Sequence, residues 1–301
     1  MSIISAAPRD NIAAGIGWML LTTFWFIALD TLAKYLLQSY PATQVLWGRF
    51  FFHLLLAMAV MGPAFLRGLR SGRPRLQLAR SVLLLVTTAL FFGGLSTVPL
   101  ATATSIMFLT PLVVTVLSIP LLGEKVGVRR LAGVLVGLAG ALVIVRPGID
   151  SVSLGMVLLL GASLSNALYQ LVTRQVRHYD GTNTTFFYTA LAGTVVFSTL
   201  APMDWRPPDA FDWGLFVGLG LLGGVSQLCL IRAFRLAPAA VVSPFSYTGL
   251  IWATIFGFIV FLDLPDLWTM VGAALIVGSG LYVFHRERKL AVPVSPPVAR
   301  C

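Results

Sequence analysis

Residues 95–145 read LSTVPLATATSIMFLTPLVVTVLSIPLLGEKVGVRRLAGVLVGLAGALVIV. The order is a turn with a proline, an apolar run, an acidic break, and a second apolar run rich in glycine. A shift of 139 residues brings that order back. It sets Pro99 on Pro238, Ala101 on Ala240, Thr115 on Thr254, Glu124 on Asp263, Gly133 on Gly272 and Leu142 on Leu281. Few letters are identical, yet the breaks recur in the same succession. Self-similarity at a long fixed period marks a duplicated chain before other fold reasoning applies.

Composition names the solvent. Apolar residues make up 57% of the chain and charged ones 11%, against roughly 25% charged in soluble domains. So few charges cannot cover a surface facing water, which leaves the bilayer. Stretches able to cross about 30 Å of hydrocarbon at 1.5 Å per residue fall at 12–33, 43–62, 80–98, 102–122, 130–146, 153–173, 183–201, 213–231, 239–261 and 267–284, predicting ten transmembrane helices. The first stretch has no Lys/Arg-rich start and runs into Asp30 and Lys34 without a small-residue cleavage pattern, so no cleaved signal peptide is expected. Cys229, inside an apolar run, and Cys301, in the tail, give no disulfide framework.

The net charge of +10 takes its meaning from its position. With the N-terminus inside, the inner side receives Arg9, Arg67, Arg70, Arg73, Arg75, Arg80, Lys125, Arg129, Arg130, Arg174, Arg177, Arg232, Arg235, Arg286, Arg288, Lys289 and Arg300. Lys34, Arg146 and Arg206 fall outside, and Arg49 lies within a span. Basic residues gather on cytoplasmic loops, so both termini are expected in the cytoplasm of a multi-pass protein of the inner membrane. The surplus reads as topology beside membrane lipid, and nucleic acid is not an expected partner. Five crossings per half is odd, so the second half enters from the opposite face. The expected fold is an all-α integral membrane protein: ten transmembrane helices as two inverted five-helix repeats, 12–148 and 152–286, with a cytoplasmic tail at 287–301. Inverted repeats with a binding site near the midplane recur in secondary transporters.

Pro99, Pro111, Gly123-Glu124, Gly133 and Gly140 in the first copy, with Pro238, Asp263 and Gly272 in the second, carry a resemblance. Over about residues 12–286 the chain resembles the drug/metabolite transporter superfamily, in the group built from two EamA-type repeats. The second copy departs from the pattern: Leu250 stands where Pro111 would recur, and Leu262-Asp263 replaces Gly-Glu. The opening segment, with Asp30, Lys34, Pro41 and Arg49, is similar to S-adenosylmethionine and riboflavin transporter-like members.

Charges inside spans cost roughly 2.5–3.5 kcal/mol on insertion scales and face the bundle interior or a wet cavity. Asp30 and Lys34 share a helix face at i,i+4; the pair reads as an interfacial ion pair or, through Asp30, as a partner for a proton or a substrate amine. Arg49 and His53 share a face of the second helix. Arg49 requires a carboxylate, a carbonyl or a substrate anion, with Asp30 the nearest candidate. Trp25, Asn166, Tyr169, Gln170, Gln227, Tyr247 and Trp252 are candidates for stacking and hydrogen bonding, against a plain reading as packing and interfacial residues. Pro111, Pro120 and Pro244 are expected to kink the fourth and ninth helices as gates or as fixed bends. The glycine faces at Gly133, Gly137 and Gly140 and at Gly272 read as close helix packing, within one chain or in a homodimer through the fifth and tenth helices.

The leading reading is a secondary transporter moving a small polar or amphipathic metabolite, of amino-acid, nucleoside or vitamin type, by alternating access. No Gly-x-x-x-x-Gly-Lys-Ser/Thr phosphate loop is present and no cofactor is expected. The alternatives are a membrane receptor or assembly protein without transport, and an intramembrane enzyme. For the last, His-Glu-x-x-His is absent and Gly278-Ser279-Gly280 lacks a residue of the Gly-x-Ser-Gly pattern.

Overall fold

The computed structural model describes residues 11–62, 71–122, 128–146, 153–176, 179–180, 182–237 and 242–290. These residues are helical almost throughout, with no strand among them. The helices are α1 (Ile12–Leu36), α2 (Ala42–Met61), α3 (Pro74–Leu95), α4 (Leu100–Met107), α5 (Thr110–Leu122), α6 (Val128–Val145), α7 (Leu154–Val176), α8 (Thr182–Leu200), α9 (Ala210–Leu236), α10 (Gly249–Phe261) and α11 (Leu267–Leu290). A 3-10 helix, Ser243–Thr248, leads into α10. Among the described residues seven segments are long and apolar enough to cross a membrane, one of them joining α4 to α5, and Leu131–Val145, Phe245–Phe261 and Leu267–Val283 are shorter apolar helices.

Local chemistry sets the ends. Pro41 and Pro99 stand just before α2 and α4, and Pro74 is the first residue of α3, where a missing N–H costs nothing. The third helix therefore starts at Pro74 rather than at residue 80, which draws Arg80 out of the expected loop and into a span. Asn11, Asp209 and Asp266 cap α1, α9 and α11 by accepting from Ala14, Asp212 and Thr269 N–H at 3.1, 2.7 and 2.9 Å. Buried threonines such as Thr31, Thr87 and Thr104 return their hydroxyls to the carbonyl four residues back, which satisfies them without water.

The fourth span is broken in its middle. A proline removes one donor and crowds the carbonyl four residues earlier; for Pro111 that carbonyl belongs to Met107, where α4 ends. Pro111 thus opens α5, and Pro120 lies within it. Pro244 sits in the first turn of the 3-10 helix. The break at Phe108–Leu109 maps, under the 139-residue shift, onto Tyr247–Thr248, where the 3-10 helix passes into α10.

The packing repeats under the same shift. Helix α1 packs on α9 and α10, while α7, its counterpart, packs on α3 and on α4–α5. Gly15 of α1 lies against Ala233 of α9 and Ala237 just past its end; Gly155 of α7 lies against Gly94 of α3 and Thr97 just past its end. Two three-helix groups result, each mixing both copies. Helices α2 and α8 pair with each other, and so do α6 and α11. Between α6 and α11 a Cβ at Gly140 would stand 2.8 Å from the Gly272 carbonyl. Gly133 and Gly137 face Val283 and Ser279 of α11. The glycine faces are therefore consumed inside one chain, which removes the reason for placing a second protomer there.

Candidate functional site

Two ends of the bundle differ in charge. The acidic end carries Asp204, Asp209, Asp212, Asp263 and Asp266; the basic end carries Arg73, Arg75, Arg80 and Arg232. Between them, on facing helices, stand Asp30 of α1 and Arg49 of α2. Helix α9 packs on both α1 and α2. Both are half-buried, and each acts electrostatically on the other. Neither makes a hydrogen bond or ion pair among the described residues. The guanidinium of Arg49 lies 5.1 Å from the centre of the Phe92 ring, a cation–π contact that leaves its N–H fork free.

His53, one turn beyond Arg49, is buried, with its ring 4.6 Å from that of Phe186 on α8. Gly223 of α9 leaves room beside it, for a Cβ there would stand 3.7 Å from His53 Nδ1. Its Nε2 has no partner, and neither has the buried Nε1 of Trp252 on α10. Buried polar atoms in native proteins are almost always satisfied, so these two call for water or a ligand. Trp252 belongs to an aromatic group in which Phe24 meets Trp25, Trp252 and Phe256 edge-on at 5.0, 5.2 and 5.5 Å.

Other expected site residues fall in different places. Lys34 does not pair with Asp30. Its ammonium donates to the Val98 carbonyl at 2.7 Å and to Asp263 at 3.2 Å, because the end of α1 packs against the turn before α4 and the loop after α10. Tyr169 accepts from Arg80 at 2.6 Å, which makes it part of a structural network. Arg80, 4% exposed, also binds Thr173, Thr189 and the Thr185 carbonyl at 2.9, 2.8 and 3.2 Å. Asn166 reaches Thr110 at the start of α5, which pairs with Ser163 at 3.2 Å. Gln227 is half-buried one turn from Gly223. Gln170 is exposed, although it shares its helix face with the buried Ser163 and with Asn166, opposite the outward stripe of Val157 and Leu164. Tyr247 meets Phe108 edge-on at 5.0 Å; the two are equivalent positions of the duplication. Phe108 escaped notice in the sequence because it sits in an unbroken apolar run.

Polar ties hold both ends. At the acidic end the Tyr40 hydroxyl donates to Asp212, Thr43 to Asp204 at 2.7 Å, and Gln44 exchanges two bonds with the Arg206 backbone at 2.8 and 3.0 Å. The bond to Asp212, partial burial and the charges of Asp212 and Asp209 push the Tyr40 phenol up to about 12. At the basic end Asp180 accepts from Ser71, Gly72 N–H and Gln77 at 2.6, 2.7 and 2.8 Å. Burial pushes the Asp180 carboxyl up, but the three bonds together outweigh it and hold the group below the usual carboxylate range. No group of three or more His, Cys, Asp or Glu side chains suited to a metal ion occurs among the described residues.

A profile described as the EamA-like transporter family matches residues 13–146 and 153–284. The S-adenosylmethionine uptake transporter of Rickettsia bellii is 28% identical over 91% of this chain and 94% of its own length. The riboflavin transporter of Vibrio cholerae is 28% identical, with the same two coverages. The pseudopaline exporter of Pseudomonas aeruginosa is 28% identical over 89% of this chain and 95% of its own. A solved crystal structure superposes with a TM-score of 0.65 at 19% identity, covering 94% of this chain and 99% of its own, and so shares the fold.

Proposed function

Since the chain belongs to the EamA-like transporter family and is a multi-pass membrane protein, we propose that it is a secondary carrier for a small zwitterionic metabolite with an aromatic part, working by alternating access. The seven long helices and three shorter ones supply ten crossings as two inverted repeats, 12–148 and 152–286. An odd number of crossings per copy makes one copy enter from each face, and the repeated packing of α1 and α7 supports this arrangement. The basic end faces the cytoplasm by the charge rule.

The observation that carries the reading is the Asp30 and Arg49 pair: opposite charges, half-buried within spans, each acting electrostatically on the other with no hydrogen bond or ion pair between them among the described residues. A molecule bearing a carboxylate and an amine completes both at once. Arg49 takes the carboxylate in its fork, Asp30 the amine, and His53 Nε2 and Trp252 Nε1 give further polar contacts. The rings around Phe24 and Trp252 offer faces and edges to a flat heterocycle. S-adenosylmethionine, the substrate named for the Rickettsia bellii relative, has all three features; riboflavin, named for the Vibrio cholerae relative, has the ring without the zwitterion.

The test is flux of both compounds in liposomes holding the purified protein. S-adenosylmethionine flux is expected, and Arg49→Ala should abolish it while leaving the melting temperature near that of the parent. Equal flux by Arg49→Ala, or flux of riboflavin alone, would remove the zwitterion from the site.

A further inference from the structure

We infer that the structure is closed at the acidic end and that Lys34 is the gate residue there. Two observations carry this, and it rests on the carrier reading above. The first is where the two three-helix groups touch. Helix α4, the half of its span nearest the acidic end, lies along α10, with Leu100 3.9 Å from where a Cβ of Gly257 would stand and Phe108 3.5 Å from that of Gly249. The other half, α5, packs on α6 and α7 and makes no comparable contact with α10.

The second observation is Lys34 itself. It belongs to the α1 group, yet its ammonium donates to Val98 at the head of the α4 group and to Asp263 in the loop after α10. The side chain is 10% exposed, and the ammonium also lies 5.0 Å from the centre of the Phe261 ring. Buried ammonium groups need such partners, so one side chain pins three segments and spans the groups. Tyr40 and Asp180 differ in this respect: their bonds stay within a group, joining the α1 side to α9 and the α7 side to α3. Lys34 therefore seals the acidic end. Opening it requires the Lys34 bond to Val98 to part, and Asp263, in the loop after α10 on Lys34's own side, holds the ammonium in place for that bond.

The test follows accessibility from each side. In a chain carrying Cys229→Ser and Cys301→Ser, a reporter Leu100→Cys sits beneath the gate, where Leu100 is fully buried. A membrane-impermeant maleimide added from the extracytoplasmic side should label it slowly, and Lys34→Gln or Asp263→Asn should raise the rate about tenfold or more by shifting the population toward the open form. Lys34→Arg should label like the parent. Val134→Cys, on α6 and buried, should stay unlabelled throughout. Unchanged labelling in both gate variants would overturn the gate, and so would labelling of Val134→Cys alongside Leu100→Cys, which would show general loosening. Should Lys34→Gln fail to fold, Asp263→Asn decides alone. Unchanged labelling in a flux-competent chain defeats the gate and spares the carrier; shifted labelling in a chain without flux for any compound tried defeats the carrier and spares the gate.

Discussion

The turn at Tyr40 and the turn at Asp180 hold opposite ends of the molecule with opposite chemistry. A 140-residue shift carries Tyr40 onto Asp180 and Gly72 onto Asp212, and the pairs that touch, Tyr40 with Asp212 and Asp180 with Gly72, are the same pair of places. At the acidic end the turn donates and the start of α9 accepts. At the basic end the turn accepts and the segment before α3 donates. The duplication has kept the contact and exchanged which partner carries the negative charge, so that the contact survives while one end keeps its acids and the other its arginines.

The comparison can be pressed by substitution. The basic turn leans on Arg80 nearby, whereas the position related to Arg80 by the same shift is Gly220, pressed against the backbone of α2. Arg80→Ala should therefore cost the most, about 3 kcal/mol, since several charge-assisted bonds are lost at once. Arg80→Lys should recover little, because one ammonium cannot reproduce a planar fork. Thermal unfolding in detergent reads both, and a melting temperature near the parent's for Arg80→Ala would break the claimed asymmetry.

Next comes Asp180→Ala, which removes the acceptor shared by Ser71, Gly72 N–H and Gln77 and should cost about 2 kcal/mol. Tyr40→Phe removes a single part-buried bond, so about 1 kcal/mol or less is expected. The two also part company in pH. Asp180 is held low in the fold, so its contribution is full above the ordinary aspartate value of about 4 and disappears as pH falls through the lower folded value. Tyr40 is held high, so its contribution is full below the ordinary tyrosine value of about 10 and disappears as pH rises toward about 12. Parent and Asp180→Asn should thus converge in acid, and parent and Tyr40→Phe in alkali; convergence at the same extreme would undo the comparison.

The smallest effect concerns a place where one copy carries glycine and the other leucine. Leu262 ends α10 in the left-handed region at φ 57°, and the equivalent residue of the first copy is Gly123, which lies outside the described residues. A side chain there costs roughly 1–2 kcal/mol. Leu262→Gly should return about 1 kcal/mol of it as a higher melting temperature, less the entropy that glycine frees in the unfolded chain.

The duplication and the membrane class were legible because both are written in composition and in the order of breaks. The place of Arg49 and His53 within the second span was legible too, since a charge and an imidazole in an apolar run stand out on any hydropathy scale. Arg80 was not, because counting basic residues assigns an arginine at the edge of a run to the loop, and only Pro74, read as a first helical residue, points to the earlier start. Lys34 was misassigned for a different reason. The i,i+4 spacing to Asp30 is visible in one dimension, whereas Val98 and Asp263 approach through packing. The glycine faces were read correctly as close contacts; a face, however, does not say whose helix it meets.

One further consequence lies in the contact of Phe108 with Tyr247. These residues are the same position in the two copies, so exchanging the copies sends the contact onto itself. Any rearrangement that makes the ends trade conformations leaves these rings facing each other, each turning by an equal and opposite amount. Under the alternating access proposed above, the pair serves as a fulcrum. A lever changes the angle of its arms and keeps its pivot, and the edge-on meeting of two rings at 5.0 Å suits a pivot, since one ring can roll over the face of the other without parting from it.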